Sequence, residues 1–127
     1  MTIGELAKKA KVNVETIRYY QRIELLSKPS QPSSGFRKYS ETTLEKLSFI
    51  RRSKELGFSL NDIRELLSLQ QQDGACEEIC SLAERNLVSI RQRIRDLRTL
   101  ESEISELITR CKEAPDCVIL KALEQGR

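Results

Sequence analysis

The residues best suited to chemistry in this chain are four cysteines, arranged as two pairs. Cys76 and Cys80 stand one helical turn apart, and Cys111 and Cys117 follow about thirty residues later. Deprotonated sulfur binds soft or borderline ions such as Hg(II), Cd(II), Pb(II), Zn(II) and Cu(I). The chain contains no histidine, which excludes the Cys2His2 type of zinc site. The cysteines therefore predict a metal site built from thiolates.

The two pairs are too far apart along one helix to share an ion. A straight helix rises about 1.5 Å per residue, so the two pairs would lie roughly 45 Å apart. Two such helices running antiparallel in a dimer would bring the upstream thiols of one chain beside the downstream thiols of the other. We therefore expect Cys76, Cys111 and Cys117 to bind metal across a dimer interface. Cys80 has apolar neighbours and is explained equally well as a further ligand or as a small buried side chain.

The stretch between the pairs has the pattern of a coiled-coil helix. Residues 76–110 contain no glycine or proline, and residues that are apolar with one exception recur at alternating steps of four and three. This seam consists of Ala83, Leu87, Ile90, Ile94, Leu97, Glu101, Ile104 and Ile108. Its charged member, Glu101, can favour an antiparallel register by pairing with Arg93 or Arg98. Because residues 1–70 already make a small core, we expect the seam to pack against a second copy; packing on its own domain is the alternative.

The first seventy residues have the pattern of short helices separated by turns. A Thr-x-x-Glu capping box opens the first helix, and Asn13 can cap a second helix at residues 14–22. Two short helices joined by a tight polar turn form a helix-turn-helix. Residues 28–39 hold two prolines and a Ser-Ser-Gly turn, which predicts a loop or short hairpin. Helical spacing returns at residues 40–56 and 59–70.

The second helix and the hairpin carry the side chains that we expect to contact DNA. Arginine commonly reads guanine edges, methyl groups of threonine and valine touch thymine, and tyrosine hydroxyls bind phosphate. The expected contacts are Val14, Thr16, Arg18, Tyr19 and Tyr20 on the helix, and Arg37, Lys38 and Tyr39 after the turn. Residues 1–68 carry a net charge of +5 and residues 69–127 carry −2, as expected for a DNA-binding head on an interaction stalk. The alternative is an ordinary solvated basic face.

Composition narrows the class of protein. A chain of 127 residues suits a small domain with an extended oligomerisation element. Charged residues make up 32% and aromatic residues 5%, which favours long surface helices over a compact β core. Without a long apolar run or a secretory signal, the chain is expected to be cytoplasmic, with reduced thiols. No histidine base, glycine-rich phosphate loop or nucleophile elbow is present, so we do not expect an enzyme.

Several motifs, taken in order, resemble the MerR family of transcriptional regulators across essentially the whole chain. They are Thr2-Ile3-Gly4-Glu5-Leu6-Ala7, Val14-Glu15-Thr16-Ile17-Arg18-Tyr19-Tyr20, Gly35-Phe36-Arg37-Lys38-Tyr39, Phe49-Ile50 and Leu56-Gly57-Phe58-Ser59-Leu60. The resemblance implies a mainly α fold in three parts. These are a winged helix-turn-helix DNA-binding domain at 1–70, a long antiparallel coiled-coil dimerisation helix at 71–110, and a metal-binding loop and short helix at 111–127.

The resemblance also implies a heavy-metal-responsive regulator that binds promoter DNA as a homodimer. In the family's metal sensors, one cysteine at the start of the dimerisation helix and two in the C-terminal loop of the partner form the site. Cys76, Cys111 and Cys117 stand at those positions. Binding of the ion distorts the promoter so that RNA polymerase can engage it. The alternatives are a thiol redox sensor on the same fold, and a coiled-coil interaction protein that senses nothing.

The resemblance leaves the metal open. Sensors of monovalent ions carry serine where this chain has Cys76, which favours a divalent ion. The tract 73–84 resembles the mercury-sensing branch, whereas the tail 117–126 resembles the zinc, cadmium and lead branch. The five-residue loop between Cys111 and Cys117 and the additional Cys80 depart from both branches. The expected effector is therefore a divalent soft ion, Hg(II), Cd(II), Pb(II) or Zn(II).

Overall fold

The computed structural model describes residues 1–29, 38–114 and 116–126, and within these ranges the regular structure is entirely helical. The helices are α1 Ile3–Ala10, α2 Val14–Arg22, α3 Glu41–Glu55, α4 Leu60–Gln70, α5 Cys76–Glu113 and α6 Val118–Glu124. The four helices expected in the first seventy residues are confirmed. Most of the expected hairpin at 28–39, including its turn, lies outside the described residues.

Short polar side chains set the starts of the first helices. The Asn13 Oδ1 accepts a hydrogen bond from the backbone N–H of Thr16 at 2.7 Å, and the Ser59 Oγ accepts one from Asp62 at 3.1 Å. Each bond satisfies an N–H group that the first helical turn leaves unpaired. α1 ends at Lys11, whose φ of 59° stops the right-handed helix and starts the turn toward α2.

The first compact unit, Met1–Leu82, is built around one hydrophobic core. α1 packs against α2 and α3, and α3 packs against α4. The core comprises Leu6, Ala7, Ala10, Ile17, Tyr20, Leu25, Leu26, Tyr39, Leu47, Ile50 and Ile63. The Arg64 guanidinium of α4 donates to the Ile23 carbonyl oxygen at 2.9 Å, which satisfies an acceptor at the end of α2. The small core therefore fixes the position of α2.

α5 is a single helix of 38 residues, which corresponds to a length of about 57 Å. Ala75, just before the helix, and Leu82 are buried, and the first compact unit extends to Leu82. The helix continues to Glu113, and Cys111 therefore lies in its last turn rather than in the expected loop. The physical reason is that the first strong helix breaker in this part of the sequence is Pro115.

The second compact unit, Ala83–Arg127, presents an uncovered apolar stripe. Most of the apolar seam side chains are exposed in the single chain: Leu87, Ile94, Leu97, Ile104 and Ile108. A contiguous exposed apolar surface of this kind marks an interaction site. None of the described helices is long and apolar enough to cross a lipid bilayer.

Leu47 and Leu56 provide a matched test of the core. Leu47 is fully buried, whereas Leu56, at the end of α3, is 49% exposed. Leu47→Ala is expected to lower the free energy of unfolding by about 2–5 kcal/mol, because it removes packed methyl groups and leaves a cavity. Leu56→Ala is expected to change it by about 0.5 kcal/mol. Urea titrations at equal protein concentration measure both; equal losses would contradict the assigned core.

Candidate functional site

The four cysteines are all free thiols, and the helices determine where each one lies. Cys76 is the first residue of α5 and Cys80 follows one turn later; both are exposed. Cys111 is half-buried in the last turn of α5, and Cys117 is exposed. Cys80 is therefore not buried within a single chain. In one chain, three of the four cysteines are thus exposed to solvent, and Cys111 is half-buried.

The Cys117 thiol is positioned by the start of α6. Its Sγ accepts a hydrogen bond from the backbone N–H of Leu120 at 3.4 Å, so Cys117 acts as the N-cap of this helix. The Asp116 carboxylate beside it forms an ion pair with Lys121 at 3.0 Å. These two contacts define the backbone around Cys117 and thereby the direction of its sulfur.

The donor set fits a soft ion. Thiolates select Zn(II), Cu(I) and heavier thiophilic ions over hard ions such as Mg(II). Within the described residues of one chain, no three cysteine, aspartate or glutamate side chains form a group that could hold a metal ion. Cys76 and Cys80 lie at the start of α5. Cys111 lies in its last turn, and Cys117 lies just beyond its end.

The exposed face of α2 presents polar and basic side chains. The Arg18 guanidinium is exposed and lies 3.1 Å from the Glu15 carboxylate. Tyr19 is 42% exposed, and the guanidinium of Arg22 lies over its ring, 5.9 Å from the centroid. Val14 and Thr16 are half-buried at the start of the helix. Arg22 was not among the expected DNA contacts, although its spacing of three residues after Tyr19 places both on one helical face.

The structure places two of the expected contact residues in the core. Tyr20 and Tyr39 are buried, and the Tyr39 hydroxyl accepts a hydrogen bond from the Gln21 Nε2 at 2.9 Å. Burial raises the pKa of the Tyr20 hydroxyl, and the neighbouring Tyr19 raises it further. Lys38 is exposed, whereas Arg37 lies outside the described residues. Among the described members of the set, Arg18, Tyr19 and Lys38 are exposed.

Known families match most of this chain. The MerR HTH family regulatory protein model matches residues 1–70, and the model named MerR, DNA binding matches residues 44–107. A mercuric resistance operon regulatory protein of Pseudomonas fluorescens is 42% identical over 130 residues, which cover 99% of this chain and 89% of that protein.

Two solved structures share the fold at similar identity. The transcription regulator PbrR691 from Ralstonia metallidurans CH34, in complex with lead(II), superposes with a TM-score of 0.80 at 37% identity, covering 97% of this chain and 98% of that one. MerR from Bacillus megaterium MB1, in complex with mercury(II), gives 0.72 at 36% identity, covering 98% and 99%. The mainly α fold expected from the sequence, with its helix-turn-helix and long coiled-coil helix, is confirmed.

Proposed function

Because the chain belongs to the MerR family of helix-turn-helix regulatory proteins, we propose that it is a metal-responsive transcriptional regulator acting as a homodimer on promoter DNA. The observation that carries the proposal is the placement of free cysteines at both ends of one long helix with an exposed apolar seam. Relatives of similar length were solved with lead(II) and mercury(II). The effector is a divalent soft ion, Hg(II), Cd(II), Pb(II) or Zn(II).

Dimerisation follows from the unpartnered seam of α5. Burying an apolar side chain such as Leu97 or Ile104 stabilises an interface by about 1.5–3 kcal/mol relative to leaving it in water. The first unit has its own core, so a second copy of α5 is the surface that completes the seam. An antiparallel pair brings Cys76 of one protomer to the partner's Cys111, which one helix of about 57 Å cannot do by itself.

The proposed ligands are Cys76 from one protomer with Cys111 and Cys117 of the partner subunit. When bound, the ion supplies strong bonds that join thiolates of both chains. Cys76 directly follows Ala75, which is buried in the packed surface of the first unit. A displacement of Cys76 is therefore transmitted to the domain that holds α2.

The regulatory step requires only a modest difference in free energy between two conformations. A tenfold change in their ratio corresponds to about 1.4 kcal/mol, provided that the effector binds one conformation better than the other. We propose that the two conformations hold the promoter in different shapes, so that RNA polymerase engages only one of them. Reading DNA shape in this way needs no change in how tightly the operator is occupied.

The proposed DNA surface is the exposed side of α2 with the segment that follows it. Arg18, Tyr19 and Lys38 are exposed there, and Val14 and Thr16 provide methyl groups at the start of the helix. Arg22, stacked over Tyr19, joins this set as an additional candidate for phosphate contact.

Arg18 and Arg52 provide a matched pair that tests this surface. Both are exposed and form an ion pair with a glutamate three residues away, but Arg52 lies on α3. Arg18→Ala is expected to weaken operator binding by about 1–3 kcal/mol if Arg18 reads a base. Arg52→Ala removes the same charge and is expected to weaken binding less. Equilibrium binding to operator and scrambled DNA at several salt concentrations measures both; an altered salt slope with unaltered specificity would make Arg18 a phosphate contact.

In vitro transcription by RNA polymerase in the presence of the reduced dimer tests the proposed function as a whole. We expect no induction without metal, induction by at least one of Hg(II), Cd(II), Pb(II) and Zn(II), and an operator footprint in both states. Induction by an oxidant in the absence of metal would favour the redox-sensing alternative. The absence of any sequence-specific footprint would favour an interaction protein and would contradict the proposal.

A further inference from the structure

The coiled-coil seam extends further than its apolar residues indicate. Counting back from Ala83 by the same alternating steps reaches Cys80 and then Cys76, and counting forward from Ile108 reaches Cys111. α5 covers this whole range without interruption. Residues at such spacing follow one stripe of a helix. Three of the four cysteines therefore occupy the terminal positions of the dimerisation seam itself.

In one chain Cys80 is exposed and lies outside the hydrophobic core of the first unit. At the start of α5, Ala75 and Leu82 are buried. Cys76 and Cys80 are exposed on the neighbouring face, which continues into the exposed seam residues. The heptad spacing places both cysteines on the same stripe of α5 as the exposed seam residues, so in an antiparallel pair they would face the second helix.

Antiparallel pairing of two such seams brings Cys80 to the same end as the other thiols. The midpoint of the extended seam lies close to Ile94. Pairing about this residue sets Cys76 beside the partner's Cys111 and sets Cys80 opposite the partner's Ile108, less than one turn from the same cysteine. A turn of helix rises about 5.4 Å, and sulfur atoms bound to one zinc ion lie about 4 Å apart because each Zn–S bond is about 2.3 Å, so the cysteine side chains would converge on the ion. If the register shifts by half a heptad, Cys80 lies beside the partner's Cys111 and Cys76 lies about one turn away. Both thiols therefore stay near that cysteine in either register.

We propose that Cys80 is a fourth ligand of the shared site, so that two thiolates from each protomer surround one ion. This inference rests on the proposed function and adds the coordination number to it. Four sulfur donors form a tetrahedral set, the geometry that Zn(II) adopts in sites made of cysteines alone, and soft donors extend this preference to Cd(II). The chain is thereby assigned to Zn(II) and Cd(II) in preference to ions that bind two or three thiolates.

A site of four thiolates would carry a net negative charge among side chains of both signs. Each of the four thiols gives its proton to solvent and its sulfur electron pair to the ion, so the divalent centre carries two net negative charges. The last turn of α5 carries Arg110 and Lys112 on either side of Cys111. Cationic side chains near a helix C-terminus are favourable in themselves, and here they offset part of the charge of the thiolates, whereas Glu77 and Glu78 beside Cys76 add to it.

Titration of the reduced dimer with Cd(II) tests the assignment. Thiolate-to-metal charge-transfer absorbance gives the affinity, and X-ray absorption gives the number of sulfur atoms around the ion. Wild type is expected to show four sulfur atoms. Cys80→Ser is expected to show three, with affinity for Cd(II) lower by at least about tenfold. The double variant Cys80→Ser, Ser81→Cys keeps four thiols but moves one off the seam, and it is expected to behave like Cys80→Ser.

The outcomes separate this inference from the proposed function. Three sulfur atoms in wild type and unchanged affinity in Cys80→Ser would overturn the fourth ligand and leave the proposed function intact. Full affinity in the double variant would overturn the argument from the seam. Unchanged Cd(II) binding by Cys76→Ser would instead contradict the proposed function. Alkylation of the wild-type protein is a second test that requires no variant. All four cysteines are expected to resist iodoacetamide when Cd(II) is bound. Rapid alkylation of Cys80 alone would overturn the inference.

Discussion

Cys76→Ser is expected to abolish induction by divalent metal while operator binding stays within about twofold of wild type. The serine hydroxyl keeps the size of the side chain but is not a soft donor, and Cys76 is exposed, so the core around Ala75 is left in place. In vitro transcription gives the first quantity and equilibrium operator binding gives the second. Loss of operator binding would show that Cys76 has a structural role.

A mixed dimer gives a sharper form of this test. Cys76→Ser and Cys111→Ser each leave no complete site in a homodimer. A dimer with one chain of each kind retains one complete site if the ligands come from both protomers, because the unaltered Cys76 and the unaltered Cys111 then face each other. Ligands drawn from a single chain would leave the mixed dimer without any site. Recovery of one metal site per mixed dimer is expected, and failure to recover it would contradict sharing across the interface.

Ile94→Asp is the substitution with the next largest expected effect. Ile94 lies close to the midpoint of the seam, so an antiparallel pair would bring the two new carboxylates near each other in an apolar interface. Burying an unpaired charge costs several kcal/mol, and each 1.4 kcal/mol corresponds to a tenfold change in the dissociation constant. The dimer is therefore expected to weaken by at least about 100-fold and to lose metal binding with it.

Ser89→Asp is the matched control for this experiment. It adds the same charge to an exposed position of α5 off the seam, where Arg93 already donates to the Ser89 hydroxyl at 3.4 Å and can pair with the carboxylate. Sedimentation equilibrium is expected to show a wild-type dimer for Ser89→Asp and mainly monomer for Ile94→Asp. A stable dimer of Ile94→Asp would show that chains associate through another surface.

Local signals in the sequence were sufficient to predict the four helices of the first seventy residues. Asn13 and Ser59 cap helices because their oxygen atoms reach N–H groups three residues away, and such contacts depend on nearby residues alone. The periodic seam likewise predicted one long helix, since every position from 76 to 110 has a side chain that a helix accepts. The metal ligands and DNA contacts stay predictions, because they involve molecules outside the chain.

Tertiary packing decided which faces of those helices are open. Tyr20 and Tyr39 carry hydroxyls suited to phosphate, yet both are buried, since helices remote in sequence close over them. Cys80 has apolar neighbours in sequence, yet it is exposed, whereas Leu82, two residues later, is buried. The sequence by itself determined where helices begin and what chemistry their side chains offer. Exposure depended on the tertiary structure, because it is set by elements that only folding brings together.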